Sequence, residues 1–156
     1  MLFRSDYTGY ITFNDDVAGE NIKFLLMVYQ TMNDPRAIES IRRAMNIFAA
    51  TQQRAPQAGW GLQHRVDNLR PVGARTYEPD GLTSHTTAGN ISAMMNFYEW
   101  TGEERFLARL PEAFAWLDSI RLPDDQIQVQ GRAYPDRKST RLNSSHIQKS
   151  RMPSSA

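Results

Sequence analysis

The chain has 156 residues, of which 40% are hydrophobic and 22% are charged, a composition typical of one soluble globular domain. It contains no cysteine, which excludes disulfides, thiol catalysis and thiolate metal sites. The net charge of +1 is uneven, because residues 136–156 hold five Lys or Arg and one Asp, whereas residues 1–135 hold 13 bases and 16 acids. This acidic body argues against a nucleic-acid partner. No apolar run reaches the roughly 18 residues of a membrane span, and the N-terminus lacks the segments of a signal peptide.

Apolar residues at steps of three and four predict a first helical hairpin. Its first helix begins near Val17 and ends near Asn33. Asp34 is predicted to cap the second helix, with Pro35 in its first turn, where proline needs no backbone donor. The predicted inner faces contain Ile22, Leu25, Leu26, Tyr29 and Met32 in the first helix, and Ala37, Ile38, Ile41, Ala44, Met45 and Phe48 in the second.

A second hairpin follows after a long irregular segment. Ser84 or Thr86 is predicted to cap a third helix that ends near Thr101. Pro111 is predicted to kink the fourth helix or break it into two. The predicted inner faces contain Ile91, Met94, Met95 and Tyr98 in the third helix, and Phe106, Leu107, Leu110, Ala113, Phe114 and Leu117 in the fourth.

The two hairpins resemble repeats of one unit. A shift of 69 residues superposes apolar positions of the first hairpin on those of the second: Leu26 on Met95, Tyr29 on Tyr98 and Ile41 on Leu110. A single hairpin cannot bury its apolar face alone, so repeated hairpins predict an all-α fold, an α/α toroid or solenoid. The segment 53–83 between them has three prolines, four glycines and no periodicity, which in a compact domain indicates a functional loop.

Asn14, Asp15 and Asp16 form an acidic segment where the chain enters the first helix. One interpretation is helix capping, because these side chains accept hydrogen bonds from the free N–H groups of a helix. The other is a hard oxygen site of the kind that calcium prefers. The spacing of an EF-hand loop is absent, so both interpretations stay open.

The irregular segment contains the sequences GWGLQH and ARTYEP. Trp60 is either a core residue or a flat face for a sugar, and Tyr77 offers a second flat face. Arg75 with Glu78 is either a surface ion pair or, through its planar guanidinium, a binder of a substrate carboxylate. His85, at the start of the third helix, lacks a second His at a metal-ligand spacing, so zinc is not predicted.

Residues 136–156 are rich in Ser, Lys, Arg and Asn and have no periodicity. They can be encoded by a nucleotide sequence that resembles a common sequencing adapter, with a short gap where an adapter carries its index. We therefore predict two parts: residues 1–135 as a toroid domain that is incomplete at its C-terminus, and residues 136–156 as a non-native, disordered tail, which includes His146.

YITFNDD before a helix, then GWGLQH, ARTYEP and a helix beginning near SHTT resemble the family 10 pectate lyases, over about residues 7–135. The resemblance implies an α/α toroid that cleaves polygalacturonate by calcium-assisted β-elimination and leaves an unsaturated sugar at the new end. It also implies a secreted or periplasmic enzyme, because pectate is extracellular. We expect a monomer, and an inactive fragment if the family's C-terminal portion is absent.

The resemblance also assigns site residues. It places Asn14, Asp15 and Asp16 on the family's acidic loop as metal ligands. Many relatives have an Asp directly after the GWGLQH stretch where this chain has Arg65, so either Asp67 replaces that ligand or the ligand is lost. Arg75 is the candidate catalytic residue, as a uronate binder first and a base second, unless the base lies beyond Pro135. The candidate substrate-binding residues are Trp60, His64, Arg75, Tyr77, Glu78 and His85.

Two alternatives remain at the level of function. One is an α/α toroid glycoside hydrolase acting on uronic-acid oligosaccharides, in which an Asp or Glu pair performs acid and base catalysis. The other is a helical module that binds a glycan without cleaving it. Unsaturated product that absorbs in the ultraviolet would distinguish a lyase from both.

Overall fold

The computed structural model of the chain describes residues 9–75 and 77–123. Residues as far as Ser119 belong to one compact unit. Four helices dominate it, α1 (Val17–Met32), α2 (Arg36–Thr51), α3 (Ser84–Thr101) and α4 (Leu110–Ser119). The all-α prediction is confirmed, whereas closure into a toroid stays a prediction. The tail at 136–156 lies outside the described residues, and no described helix is long and apolar enough to cross a membrane.

The helix ends follow the sequence signals only in part. The Asp34 carboxylate accepts the backbone N–H of Arg36 at 3.0 Å, and the Arg36 side chain lowers the pKa of Asp34 to about 2. The predicted caps of α3 are wrong, because Ser84 is already helical and Thr86 lies buried in the first turn. Pro111 occupies the first turn of α4, and the break lies before it, after the 3₁₀ turn Glu104–Phe106.

The core lies where consecutive helices pack against each other. Its centre is a run of edge-to-face aromatic rings, with centroid separations of 4.9 Å from Phe13 to Phe48, 5.1 Å from Phe48 to Phe97 and 5.6 Å from Phe97 to Phe106. Such pairs stabilise a core beyond the area that they bury. Ile22, Ile41, Met45, Ile91, Met94, Leu110 and Ala113 complete it.

The predicted inner face of α3 is rotated from the observed one. Ile91 and Met94 are buried as predicted, but Met95 and Tyr98 are exposed, and Phe97 and Asn90 point inward instead. Tyr29 and Leu26, the residues aligned with Tyr98 and Met95 by the 69-residue shift, are partly buried. The repeat therefore describes the order of the helices better than it describes their side-chain environments. Met32, Ile38 and Phe114 are also exposed.

Two short strands, β1 (Tyr10–Thr12) and β2 (Gln63–Arg65), were not predicted. They pair antiparallel, with Tyr10 opposite Arg65 and Thr12 opposite Gln63. Directly after β1, the N–H groups of Phe13 and Asn14 both donate to the carbonyl of Leu62, at 2.9 and 3.1 Å. This ladder fixes the acidic segment beside the irregular segment, although about 50 residues separate them in sequence.

Phe97→Ala should lower the free energy of unfolding by about 3–5 kcal/mol, because it leaves a cavity beside the rings of Phe48 and Phe106. Phe97 is 3% exposed. Phe114→Ala is the matched control, because this ring is 49% exposed and its loss should cost below about 1 kcal/mol. Urea denaturation of the full chain measures both, and equal losses would contradict the described core.

Candidate functional site

Trp60 is a structural residue and not a sugar platform. Its side chain is fully buried, and Nε1 donates to the carbonyl of Phe48 in α2 at 2.9 Å. Its backbone N–H donates to Oγ1 of Thr87 in α3, also at 2.9 Å. Neither ring face is accessible, which favours the core interpretation of Trp60 over the sugar-face one. Trp60 instead attaches the irregular segment to two helices.

The glycines on either side of Trp60 permit this close approach. A Cβ on Gly59 would lie 2.6 Å from the ring of Trp116, and one on Gly61 would lie 2.8 Å from the carbonyl oxygen of Gly81. Real Cβ atoms do not approach so closely, so any side chain at either position would force the backbone away. The GWGLQH sequence is thus a packing motif that positions the residues following it.

His64 is also buried. Its Nε2 accepts the N–H of Gly61 at 3.0 Å, and Nδ1 lies 2.9 Å from the carbonyl oxygen of Leu69, which assigns the proton to Nδ1. Burial lowers the pKa of His64, because a charged imidazole would be poorly solvated there. The hydrogen bonds of His64 support the chain on either side, and substrate binding by this residue stays a prediction.

The buried carboxylate of Glu78 holds three segments of the site together. Its side chain is 4% exposed. Oε1 accepts from Asn14 Nδ2 at 2.9 Å, and Oε2 accepts from the backbone N–H of Arg75 at 3.1 Å and from Gln63 Nε2 at 3.4 Å. These contacts join the acidic segment, β2 and the ARTYEP sequence at one carboxylate. Both oxygens of Glu78 contact other residues of the protein, which favours a positioning role, and substrate binding by Glu78 stays a prediction.

Arg75 carries the exposed chemistry of the site. Its Nε lies 3.2 Å from Glu78 Oε1, one terminal nitrogen donates to the Tyr77 hydroxyl at 2.5 Å, and the other lies 3.7 Å from Asp15 Oδ2. The guanidinium carbon stands 5.5 Å from the centre of the Tyr77 ring. Tyr77 is 70% exposed. A planar cation and a flat ring are therefore presented together to solvent.

A cavity of about 530 Å³ opens beside Arg75. The acidic segment and the first turns of α1 form one wall, β1 forms another, and the guanidinium lies at the edge. The lining residues are Tyr10, Thr12, Asn14, Asp15, Val17, Ala18, Asn21 and Arg75. The volume suits a small part of a polar ligand, and the guanidinium favours a ligand that carries a carboxylate.

Asp15 and Asp16 have a left-handed backbone, with φ of 53° and 58°. This conformation costs about 1–2 kcal/mol for most residues, and Asp tolerates it better than most. No side chain caps α1, which counts against the capping interpretation of the acidic segment, and the Asp16 carboxylate instead pairs with Lys23 at 3.0 Å. Lys23 also binds Glu20 at 2.7 Å, and both carboxylates raise its pKa. Strained residues that do not cap the helix indicate a functional role for the loop.

The predicted four-residue metal site is not assembled. Asp67 pairs with Arg65 at 3.2 Å and does not line the cavity beside Arg75, which favours loss of that ligand over its replacement by Asp67. Within residues 9–75 and 77–123, no three His, Asp or Glu side chains cluster as metal ligands. His85 is exposed at the start of α3 and does not line that cavity either.

Two residues, Gln63 and Lys23, were not identified from the sequence as belonging to the site. Gln63 lies within GWGLQH, but nothing local shows that its amide meets a carboxylate 15 residues later. The Oε1 atom of Gln63 is buried and has no hydrogen-bond partner among the described residues. Lys23 carried a readable signal, because its position three residues after Glu20 places both on one helix face, next to the helix start where Asp16 lies.

The fold and site define a helical protein in which an arginine, paired with a buried carboxylate, stands beside an open cavity. The sequence profile of the family described as pectic acid lyase matches residues 3–152. The chain therefore belongs to the pectic acid lyase family, and the suspected resemblance is confirmed. No curated protein matches the chain. Family membership implies a lyase that acts on pectate.

Glu78→Gln should lower the free energy of unfolding by about 1–2 kcal/mol, because an amide cannot accept hydrogen bonds through both terminal atoms and the ion pair with Arg75 is lost. The loss stays modest because solvent screens Arg75, which is partly exposed. The matched control is Glu112→Gln, which breaks the pair with Arg109 at the same spacing. Glu112 has a side chain that is 40% exposed, so its substitution should cost below about 0.5 kcal/mol. Chemical denaturation compares the two, and a larger loss at Glu112 would contradict the anchoring role.

The free energy of unfolding should decrease as the pH is lowered, because His64 is protonated more readily in the unfolded chain than in the folded one. Its pKa is lowered in the folded state, so the unfolded chain takes up a proton first, and stability is lost as pH falls below about 6.5. The loss attributable to one proton is at most about 1.4 kcal/mol per pH unit. Urea melts between pH 8 and pH 5 measure it, and His64→Gln should flatten the slope. An unchanged slope in this variant would contradict the assignment.

Proposed function

We propose that the chain binds polygalacturonate at Arg75 and cleaves it by β-elimination, producing unsaturated oligogalacturonides. The observation that carries the proposal is the orientation of Arg75. One edge of its guanidinium is fixed by the buried carboxylate of Glu78, while the group remains 40% exposed beside the cavity. An arginine that is fixed on one side and open on the other suits a uronate carboxylate.

The reaction requires stabilisation of negative charge. When a base takes the C5 proton, the electron pair of the C5–H bond lies next to the uronate carboxylate. It becomes the second bond between C4 and C5 as the C4–O bond breaks, and the oxygen that leaves takes up a proton and departs with the other part of the polymer. Arg75 would neutralise that carboxylate and so stabilise the developing charge. Tyr77, which holds one terminal nitrogen of Arg75, offers an exposed ring on which a sugar can lie.

Asp15 and Asp16 fit a calcium ion that the substrate shares, and do not fit an ion enclosed by protein alone. Their carboxylates are more than half exposed and adjacent in sequence, but each contacts a cation, Arg75 for Asp15 and Lys23 for Asp16. Calcium takes six to eight oxygen ligands, so substrate and water would have to supply most of them. When bound, the ion would add to the neutralisation of the uronate carboxylate.

The surroundings of Arg75 support a binding role ahead of a basic one. Two carboxylates, from Glu78 and Asp15, contact the guanidinium and favour its protonated form. A general base must release its proton, which this environment opposes. Arg75 is therefore proposed as the uronate-binding and charge-stabilising residue. A secreted or periplasmic location belongs to the same proposal, because pectate is an extracellular polymer.

Arg75→Gln should reduce the formation of unsaturated product by about 100-fold, because the developing charge loses its fixed partner. The matched control is Arg105→Gln, since Arg105 also pairs with a carboxylate, that of Glu103, and stands over a ring, that of Phe106 at 4.8 Å. The control should retain activity. The measurement is ultraviolet absorbance of polygalacturonate incubated with the full chain, with calcium or with a chelator.

Growth of absorbance with calcium, abolished by chelator and by Arg75→Gln, would support the proposal. Binding of polygalacturonate without unsaturated product would instead favour a glycan-binding module. New reducing ends without ultraviolet absorbance would favour a hydrolase. Equal activity of Arg75→Gln and Arg105→Gln would contradict the role given to Arg75.

A further inference from the structure

A second, larger cleft lies at the C-terminal end of α2. Its volume is about 740 Å³, and it shares no lining residue with the cavity beside Arg75. The polar side chains on its walls are amides and guanidiniums together with one carboxylate. The lining residues are Ala50, Gln52, Gln53, Arg54, Gln57, Asn68, Leu69, Arg70, Pro71, Asp80, Gly81 and Leu82.

One wall is the turn after β2, and it is held in a strained shape. The carbonyl of Leu69 accepts two hydrogen bonds, from Gln53 Nε2 at 2.9 Å and from His64 Nδ1 at 2.9 Å. Leu69 has φ of 59°, a left-handed conformation that is uncommon for a leucine. The surrounding contacts therefore maintain a backbone shape that leucine itself disfavours, as is common at binding sites.

The neighbours of Leu69 are fixed in the same turn. The N–H of Arg70 donates to Asn68 Oδ1 at 2.9 Å, and the carbonyl of Arg70 accepts from the N–H of Arg65 at 2.9 Å. The backbone that carries Arg70 is thus bonded on both sides of its Cα. Little ordering would be needed there when a ligand binds, which favours affinity.

The opposite wall is fixed by Arg109. Its guanidinium donates to the carbonyl of Gln53 at 2.8 Å, directly before Arg54. Gln52 is buried and donates through Nε2 to the carbonyls of Ala58 and Arg109, at 3.2 and 2.9 Å. Arg54 is therefore attached to a rigid backbone, with its side chain exposed at the cleft.

Among residues 9–75 and 77–123, no ion pair neutralises the charges of the cleft. Arg54 and Arg70 are both exposed, and neither lies within 4.0 Å of a carboxylate oxygen in the described part of the chain. Asp80, on the same cleft, has no basic partner there either. Two guanidiniums against one carboxylate leave a positive excess on a chain body that is otherwise acidic.

The geometry points to a second subsite in this cleft for an acidic oligosaccharide, in which Arg54 and Arg70 pair with sugar carboxylates. The amides of Gln53, Gln57 and Asn68 would hydrogen-bond the sugar hydroxyls. A ligand with regularly spaced carboxylates and many hydroxyls matches this lining better than an apolar ligand does. The identity of the glycan as a polyuronate rests on the proposed function, whereas its acidic character rests on the two arginines.

The test is the binding of polygalacturonate oligomers to the full chain in the presence of chelator, measured by calorimetry. The double variant Arg54→Gln with Arg70→Gln should bind about tenfold more weakly, because charge-assisted contacts are lost. Arg42→Gln with Arg43→Gln is the matched control, since both arginines are exposed on α2, outside the cleft. This control removes the same charge and should change binding by less than about twofold.

Asp80→Asn provides a change of opposite sign. Removal of the one carboxylate on the cleft should strengthen binding by about twofold, an effect that misfolding would not produce. Fully methyl-esterified oligomers, which lack the charge, should bind weakly to every variant. Equal affinity of the two double arginine variants, or weaker binding by Asp80→Asn, would overturn the inference.

Failure of the proposed function is distinguishable from failure of this inference. Absence of unsaturated product, with the tenfold loss of binding still observed in the Arg54 and Arg70 variant, would reject the lyase and retain the subsite. Product formation that depends on Arg75, with equal binding by the two double variants, would retain the lyase and reject the subsite.

Discussion

The buried carboxylate of Glu78 is the contact on which the candidate site depends. A carboxylate that is removed from water is costly unless donors surround it. Asn14, Gln63 and the backbone and side chain of Arg75 supply those donors, and they come from three separate segments. The hydrogen bonds that this one buried carboxylate requires therefore bring together three segments that lie outside the helices. The orientation of the Arg75 guanidinium follows from it.

β2 serves both clefts through two adjacent residues. Successive side chains of a strand point to opposite sides. Gln63 reaches Glu78 beneath Arg75, whereas His64 reaches the carbonyl of Leu69 in the turn that carries Arg70. The packing of Trp60 against α2 and α3 holds this strand in place. The hydrophobic core thus determines the positions of two arginines that lie far from it.

Local signals in the sequence predicted the helices, because the periodicity of an amphipathic helix is written within a few turns. They did not predict β1 and β2, whose three-residue strands pair across about 50 residues. The sequence left the core and sugar-face interpretations of Trp60 open, and the tight packing that its glycine neighbours allow favours the core one. Asp67 pairs with Arg65, two residues earlier in the chain, and nothing in the sequence distinguished this pair from a contact with the acidic segment. Arg54 and Arg70 belong to no motif, and only the closure of the turn at Leu69 brings them to one cleft.

The left-handed backbone at Asp15 and Asp16 favours glycine over other residues at these two positions. Glycine adopts positive φ without a clash between Cβ and the backbone, so a chain selected for folding stability alone would accept glycine at both positions. Glycine would also remove the Asp15 carboxylate from the lining of the cavity and the Asp16 carboxylate from its pair with Lys23. Aspartate at both positions gives the loop its negative charge at the expense of a more relaxed backbone. Stability and ligand recognition therefore oppose each other at these two residues.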